Sequence, residues 1–348
     1  MVMICAYKLT NKKGRPMSLK KIIASVAIFS FILISFMSSS NAKIVMSNDN
    51  NAQGLKGKTF EVLKKELEKR LKNEKIELHH SGALFDQKTQ IQGLQLNSVQ
   101  IISPGSGIYA KVVKELNALT LPFLLTSPEA IDKAMKDPIV RKSFVPQLQA
   151  KGIEPIAIWV NGPRQLSYRG SKPILLPSDM KGVKIRVQNI PSDIAAMKSV
   201  GANVIGMSWG EVPTALAQKV IDAVEPTPNA TVGAGLVESI DYMTKIAYQY
   251  SFYIVGANKK WWDGLSVSNK KSIQEALDVS TKWNFENAEL ENKKAYDKIT
   301  SAGKKVIDLN SAQKAAWKKA MNPVWNEFGA PLVGKAAMDQ LVKIGASN

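Results

Sequence analysis

The chain has 348 residues, a formal net charge of +18, two adjacent histidines and a single cysteine. At roughly 100–200 residues per domain this length predicts about two domains. An apolar fraction of 45% with 22% charged residues excludes global disorder. One cysteine excludes a disulfide scaffold and a Cys-rich zinc site, and two histidines are too few for most His-built metal centres or catalytic triads.

The N-terminal region, residues 1–42, ends in a segment with the layout of a secretory signal. Two lysines precede the apolar run Ile22–Met37, and small residues at Ser40 and Ala42 occupy the positions that a signal peptidase reads. The pattern predicts a signal peptide that starts at Met17 and is cleaved near Ala42. The apolar run is short for a membrane-spanning helix, which disfavours an uncleaved anchor.

Removal of residues 1–42 would change the charge of the chain. This region holds six basic residues, no acidic residue and the cysteine, so the mature chain would carry a net charge of +12. No later apolar stretch reaches the roughly 18 residues of a spanning helix, so we expect a soluble mature protein. Lysines are interleaved with glutamates along Lys56–Lys75, which is typical of a solvated helix face and does not indicate nucleic-acid binding. The excess positive charge favours an anionic ligand.

The mature chain begins with short β-type runs that alternate with amphipathic helices. Strands are predicted at Lys43–Met46, Ile76–His80 and Val99–Ile102, and helices at Phe60–Leu71 and at Asp86–Leu96 with Asp86 as cap. A further helix opens at Ser127, which caps it and is followed by proline at the first helical position. This order predicts a mostly parallel sheet with helices on its faces.

A second region repeats the pattern. Its predicted strands are Ile153–Val160, Val183–Val187, Val204–Met207 and Val220–Val224. Ser208 and Glu211 have the spacing of a capping box. Tyr242–Ala257 is a long β-favouring stretch that we expect to pass from one domain to the other.

The predicted fold class is α/β, a hinged clamshell of two lobes with the ligand in the cleft. Ser268 is predicted to cap a C-terminal helix of about 30 residues that reaches Thr300. At about 1.5 Å per residue it spans roughly 45 Å and should cross both lobes. We expect residues 43–161 and about 252–290 in lobe I, and residues 162–251 and about 291–345 in lobe II.

Enzyme motifs are absent from the sequence. It has no P-loop, dinucleotide fingerprint, Gly-x-Ser-x-Gly elbow or His-Glu-x-x-His. Asp222 and Glu225 end a predicted strand and could imitate an acid/base pair, but no partner nucleophile is visible, and pairing with nearby basic residues is the favoured interpretation. His79 and His80 point to opposite faces of a strand and cannot jointly bind one metal. We expect no catalysis, no cofactor and no metal.

Two arginines stand out. Arg164 follows the predicted strand Ile153–Val160, whose apolar composition is typical of a buried strand. Arg186 lies inside the predicted strand Lys184–Val187. A guanidinium in an apolar strand is costly unless a carboxylate meets it, and its planar donors match a carboxylate bidentately. That carboxylate belongs either to a ligand or to an internal Asp or Glu, and the residues alone leave both alternatives open.

At these residues the sequence resembles a known family. The segments that carry the resemblance are Ser81–Phe85, Leu121–Phe123, Asn161–Gln165, Asp179–Val187, Gly201-Ala202, Trp209–Val212 and Ile221–Glu225. In order and spacing they resemble the periplasmic solute-binding component of tripartite ATP-independent periplasmic (TRAP) transporters, the DctP-like group with C4-dicarboxylate and sialic-acid binders. The resemblance covers about residues 43–345 and implies the periplasmic-binding-protein clamshell.

The resemblance also implies roles for individual residues. Arg186 would make a two-pronged salt bridge to a substrate carboxylate, Arg164 would add a second positive contact, and Trp209 would line the cleft. Glu225 matches an acid of the family and is a further ligand-binding candidate. Relatives often carry asparagine directly after that acid, where this chain has Pro226, which offers no donor.

Three weaker candidates for polar ligand contacts follow from position alone. Ser103, Ser106 and Asn189 lie at predicted strand ends, which should face the cleft. The turn that holds the two serines lacks the acidic residue of some sialic-acid binders, so we do not expect sialic acid as the ligand.

We therefore predict a monomeric periplasmic binding protein that captures a small organic anion, a mono- or dicarboxylate. It would deliver this ligand to the small and large membrane subunits of a TRAP permease. The alternatives are the binding protein of an ATP-driven (ABC) importer, a periplasmic enzyme that acts on an acid through Glu225 or Asp222, and a ligand-sensing module.

Overall fold

The computed structural model describes residues 43–347, so the predicted signal peptide lies outside the described residues. Within this range the strands are β1 (Lys43–Ser47), β2 (Lys75–His79), β3 (Ile101–Ile102), β4 (Ile153–Pro163), β5 (Leu166–Tyr168), β6 (Lys184–Val187), β7 (Asn203–Gly206), β8 (Ala223–Val224), β9 (Tyr242–Lys245), β10 (Tyr250–Asn258) and β11 (Lys305–Asp308). The α-helices are α1 (Leu55–Arg70), α2 (Gln90–Gln95), α3 (Pro128–Lys136), α4 (Pro138–Lys142), α5 (Val145–Ala150), α6 (Pro191–Ser199), α7 (Val212–Ala217), α8 (Pro228–Gly233), α9 (Lys259–Gly264), α10 (Val267–Ser301), α11 (Ser311–Met321), α12 (Val324–Phe328), α13 (Ala330–Val333) and α14 (Lys335–Ala346). None of the helices between residues 43 and 347 has both the length and the apolar character needed to cross a bilayer.

The first sheet has five strands in the order β2-β1-β3-β10-β4. Strand β1 pairs in parallel with β2 and β3, as the alternating pattern predicts, whereas β10 is antiparallel to both β3 and β4. Helix α1 packs Phe60, Leu63 and Leu67 into the core with Met46 of β1. The carboxyl ends of β1, β2 and β3 therefore share one edge of this sheet.

The second sheet has six strands in the order β11-β9-β5-β8-β6-β7. Strand β6 is parallel to β7 and β8, so the carboxyl ends of these three strands also share one edge. Strand β5 is antiparallel to β8 and β9. The prediction of an α/β fold with two sheet-based halves is confirmed, and the residue limits of the two lobes stay a prediction.

The chain passes between the two sheets where β4 leads into β5 and where β9 leads into β10. The second passage confirms that Tyr242–Ala257 contributes to both halves. Helix α10 provides a third link, since it packs against α1 and β4 at the first sheet and against α8 and β11 at the second. This arrangement confirms the long helix across both halves.

Two predicted helix starts differ from the structure. Helix α10 has 35 residues and is capped by Ser266, whose side chain accepts the Asn269 N–H, so the predicted cap Ser268 lies in the first turn. Helix α2 begins at Gln90, because Asp86 Oδ1 accepts the N–H groups of Lys88 and Thr89 and forms a turn ahead of the helix. In both cases several polar residues near the start offered a cap, and the sequence alone did not rank them.

Gly162 lies in β4 close to the first passage between the sheets, and we expect it to tolerate no side chain. Its φ is +138°, and a Cβ there would collide with the carboxamide of Asn292 on α10. Gly162→Ala should lower the free energy of unfolding by about 2–4 kcal/mol. Gly152→Ala is the matched control, because its φ is +76° with no atom within 4 Å of the added Cβ. Urea unfolding of both variants measures the difference, and equal losses would contradict the predicted collision.

Candidate functional site

The candidate site is a cleft with about 440 Å³ of empty space, a figure that includes open solvent at its mouth. It lies where the carboxyl ends of β1–β3 and of β6–β8 meet, which is where open α/β sheets bind ligands. Loops of the first sheet contribute Asp49, Gln87 and Gly105, and the second sheet contributes Arg186 and Gln188. The position of the cleft therefore follows from the strand directions.

Arg186 of β6 is the central cation of the cleft. Its side chain is buried, and its Nε and Nη2 donate to the Met207 carbonyl oxygen over 3.0 and 2.7 Å. Nη2 also lies 3.5 Å from Gln87 Oε1, and the guanidinium lies 5.5 Å from the centre of the Trp209 ring. Among the described residues no carboxylate pairs with Arg186, and Nη1 has no hydrogen-bond partner. One edge of the guanidinium is thus held by the Met207 carbonyl oxygen, and on the Nη1–Nη2 edge the one protein contact among the described residues is that of Nη2 with Gln87 Oε1.

The electrostatic position of Arg186 is unusual for an arginine. Burial lowers its pKa to about 10, although the charge of Glu225 acts in the opposite direction. The side chain is still a cation at neutral pH. Nη1 is unused, so this buried cation is able to bind a carboxylate, and it binds one bidentately when the ligand replaces the 3.5 Å contact of Nη2 with Gln87.

Arg164 lines the same cleft but is paired within the protein. Its Nη1 donates to Asp193 Oδ2 over 2.8 Å and to Gln249 Oε1 over 3.0 Å, and its Nη2 forms an ion pair with Glu225 Oε2. Burial by itself lowers the pKa of Arg164, but the charges of Glu225 and Asp193 outweigh it and raise this pKa overall. The internal salt bridge, one of the two alternatives, is confirmed for Arg164.

Glu225 is fully buried and does not line the cleft. Its Oε2 accepts the Tyr248 hydroxyl over 2.8 Å and pairs with Arg164, whereas Oε1 has no partner in the described part of the chain. Burial raises the pKa of this carboxyl group against the effect of Arg164. Asp222 lies 3.7 Å from Lys184 Nζ. Pairing with basic residues, the favoured interpretation of both acids, is confirmed.

Lys56 is a buried cation that the sequence interpretation missed. It pairs with Asp49, its Nζ lies 3.2 Å from the Ser103 carbonyl oxygen, and burial lowers its pKa. The interpretation of Lys56–Lys75 as a solvated face is wrong at this residue. The sequence does contain an indication of this burial, because Lys56 lies four residues before Phe60 on the apolar stripe of α1.

Comparison with known proteins places the chain in a family. Residues 46–331 match the family of bacterial extracellular solute-binding proteins, family 7, or DctP. The chain belongs to this family. It is 31% identical over 281 residues to the C4-dicarboxylate-binding periplasmic protein DctP of Vibrio cholerae, covering 78% of this chain and 83% of that protein.

Solved structures agree with this membership. A TRAP periplasmic solute-binding protein from Shewanella oneidensis with bound succinate superposes with a TM-score of 0.83 at 26% identity, covering 88% of this chain and all of that one. A TRAP solute-binding protein from Pseudomonas aeruginosa with bound L-malate gives 0.78 at 25% identity, covering 82% and 99%. The chain is thus a TRAP-type solute-binding protein and belongs to a family of binding proteins rather than enzymes. The comparisons do not support the ABC-importer alternative.

Of the remaining residues that were predicted to bind ligand, some line the cleft and others do not. Trp209 lines the cleft, half-buried beside Arg186. Ser103 and Ser106 are buried and do not line it, although Gly105 between them does. Asn189 is exposed, and its neighbour Gln188 lines the cleft in its place, because consecutive residues after a strand point in different directions.

The described residues offer no evident metal site in this DctP protein. No group of three His, Cys, Asp or Glu side chains between residues 43 and 347 is suited to hold a metal ion. His80 is engaged in structure, since its ring nitrogens lie 2.9 Å from Asn48 Nδ2 and 2.8 Å from Glu61 Oε1.

Proposed function

We propose that this protein captures a small organic anion by binding its carboxylate on Arg186, and delivers it to the small and large membrane subunits of a TRAP permease. The observation that carries the proposal is the buried Arg186 guanidinium, which faces the cleft without a carboxylate partner among the described residues. Burying an unpaired charge is costly, so a folded protein keeps one where a ligand supplies the counter-charge.

The geometry of Arg186 supports carboxylate rather than neutral ligands. The Met207 carbonyl oxygen fixes the Nε–Nη2 edge, so the guanidinium is oriented before the ligand arrives. A pre-oriented donor edge loses little conformational entropy on binding. Arg164 has a structural role beside Arg186, since it connects the residues before β5 to the end of β8 through Glu225, whose main-chain oxygen also accepts a hydrogen bond from Arg164 Nε over 3.1 Å.

The periplasmic location named for similar proteins supports a transport function. The relative from Vibrio cholerae is named as periplasmic, as are the two solved structures. We propose that residues 1–42 direct the chain to the periplasm, that cleavage occurs near Ala42, and that the mature protein acts as a monomer.

Thermal unfolding of residues 43–348 tests the proposed function. Organic acids should raise the midpoint, whereas the matching primary amides should not, since they lack the anion that Arg186 binds. A ligand at 100 times its Kd stabilises the folded state by about 2.7 kcal/mol, which shifts the midpoint by a few degrees. Equal shifts with acids and amides, or shifts only with neutral solutes, would overturn the proposal.

Trp209 should contribute to ligand affinity through its ring. Its half-buried ring lies 5.5 Å from the Arg186 guanidinium, and only its main-chain N–H bonds Gln87, at 3.2 Å. Trp209→Ala should therefore weaken the binding of the best acid about 5- to 30-fold. Trp209→Phe is the matched control and should retain most of the affinity. Calorimetric titration measures both, and unchanged affinity in Trp209→Ala would exclude the ring from the binding site.

A further inference from the structure

We infer that the cleft selects monocarboxylates that carry hydroxyl groups and disfavours dicarboxylates. The inference rests on the proposed function, because Arg186 is taken to bind the one carboxylate of the ligand. The charges and hydrogen-bonding groups of the cleft that have no protein partner among the described residues indicate the class of ligand. Arg186, Arg164 and Lys56 are the basic residues of its lining.

Lys56 is already paired within the protein and is a poor partner for a second carboxylate. Its ammonium group pairs with Asp49, donates to the Ser103 carbonyl oxygen, and lies 4.4 Å from the centre of the Tyr253 ring. Two of the three N–H groups of this lysine thus have oxygen acceptors within the protein, and the ring of Tyr253 lies against the ammonium group. The charge of Lys56 is neutralised by Asp49 within the protein.

Arg164 is nearly saturated as well. Four of its five N–H groups have partners, on Glu225, Asp193 and Gln249. Two carboxylates already surround this guanidinium, so a third would meet net negative charge. Arg186 is therefore the basic residue of the cleft lining without a carboxylate partner in the described part of the chain, and it serves one ligand carboxylate.

Asp49 adds a specific obstacle to dicarboxylates. It lines the cleft, its Oδ1 holds Lys56, and its Oδ2 makes no hydrogen bond to the described residues. An ionised carboxylate only accepts hydrogen bonds. Its free oxygen can accept a ligand hydroxyl, whereas a second ligand carboxylate in this cleft would be desolvated and repelled by it.

The other polar side chains of the cleft are neutral and suit hydroxyl groups. The side chains of Asn161, Gln188 and Ser251 line the cleft and make no hydrogen bond to other described residues. Amides and hydroxyls both donate and accept, as ligand hydroxyls do. The cleft thus offers one cation and several neutral partners, which matches a hydroxylated monocarboxylate. In this respect we expect the chain to differ from its relative named for C4-dicarboxylates.

Calorimetric titration with matched acid pairs tests the inference. In each pair one terminal CH₂OH group is replaced by a carboxylate: 4-hydroxybutyrate and succinate, L-threonate and L-tartrate, D-gluconate and D-glucarate. We expect the hydroxy acid to bind at least tenfold more tightly than the diacid in every pair that binds. Diacids that bind equally well or better would overturn the inference, and if that binding is lost in Arg186→Met, the proposed function stands. Failure of all six acids to bind would overturn both.

Two variants separate the roles of charge and hydroxyl recognition. Asp49→Asn removes the repulsion and frees Lys56, so the preference for the hydroxy acid should fall at least fivefold. Because this variant leaves Lys56 without its buried partner, Gln188→Ala provides a second test that removes no internal hydrogen bond of the side chain. It should weaken the binding of the tightest hydroxy acid at least threefold, and weaken the binding of succinate, which has no hydroxyl group, by less. An unchanged preference in both variants would refute the inference.

Discussion

Arg186→Met removes ligand binding and stabilises the unliganded protein. The substitution deletes the cation that meets the ligand carboxylate, so affinity should fall at least about 100-fold, equivalent to about 2.7 kcal/mol. It also deletes a buried charge without a carboxylate partner among the described residues, and methionine fills similar space with apolar atoms. The free energy of unfolding without ligand should therefore rise by about 1–3 kcal/mol.

Arg186→Lys is the control for charge alone. Lysine keeps the cation but cannot contact the Met207 carbonyl oxygen and a carboxylate with one planar donor group, so we expect affinity between those of the wild type and Arg186→Met. Calorimetric titration gives the affinities, and urea unfolding without ligand gives the stabilities. Wild-type affinity in Arg186→Met, or a loss of stability like that of Arg164→Met, would show that Arg186 is a structural residue.

Arg164→Met has the opposite effect on stability. The substitution leaves Glu225 and Asp193 buried without the guanidinium that compensates them. Breaking a buried pair on one side costs about 3–5 kcal/mol, so the free energy of unfolding should fall by that amount. Urea unfolding measures the loss, and the fall in expression or solubility should be visible beforehand.

A double variant tests the cause of that loss. Arg164→Met with Glu225→Gln removes one of the two stranded charges, while the amide oxygen of the new side chain can still accept the Tyr248 hydroxyl that now meets Glu225 Oε2 at 2.8 Å. The double variant should recover at least about 1 kcal/mol relative to Arg164→Met. If it is less stable than the single variant, the ion pair with Glu225 is not what makes Arg164 necessary.

Local sequence patterns were enough to predict much of the fold. The parallel strands β1–β3 follow from apolar runs separated by amphipathic helices, and the passage between sheets follows from the length of Tyr242–Ala257. Element ends were less predictable. Val220–Val224 contributes only Ala223–Val224 to the sheet, because strand length depends on pairing with β5 and β6, which the sequence does not display.

The pairing of charged residues in the site could also be predicted only in part. The sequence singled out Arg164 and Arg186 but could not tell which is internally paired, because the answer depends on Asp193, which lies on a different element. Glu225 was predicted to contact ligand, and the structure places it behind Arg164. Which acid meets which base is decided by tertiary packing, and only Lys56 could have been recognised as buried from the period of its helix.

A crystal structure of residues 43–348 with the tightest-binding acid tests carboxylate capture most directly. We expect the ligand carboxylate to lie about 2.7–2.9 Å from Nη1 and Nη2 of Arg186, with the Met207 contact retained. A carboxylate bound elsewhere in the cleft, with the Nη1–Nη2 edge of Arg186 facing a protein carboxylate or water, would contradict the proposed function.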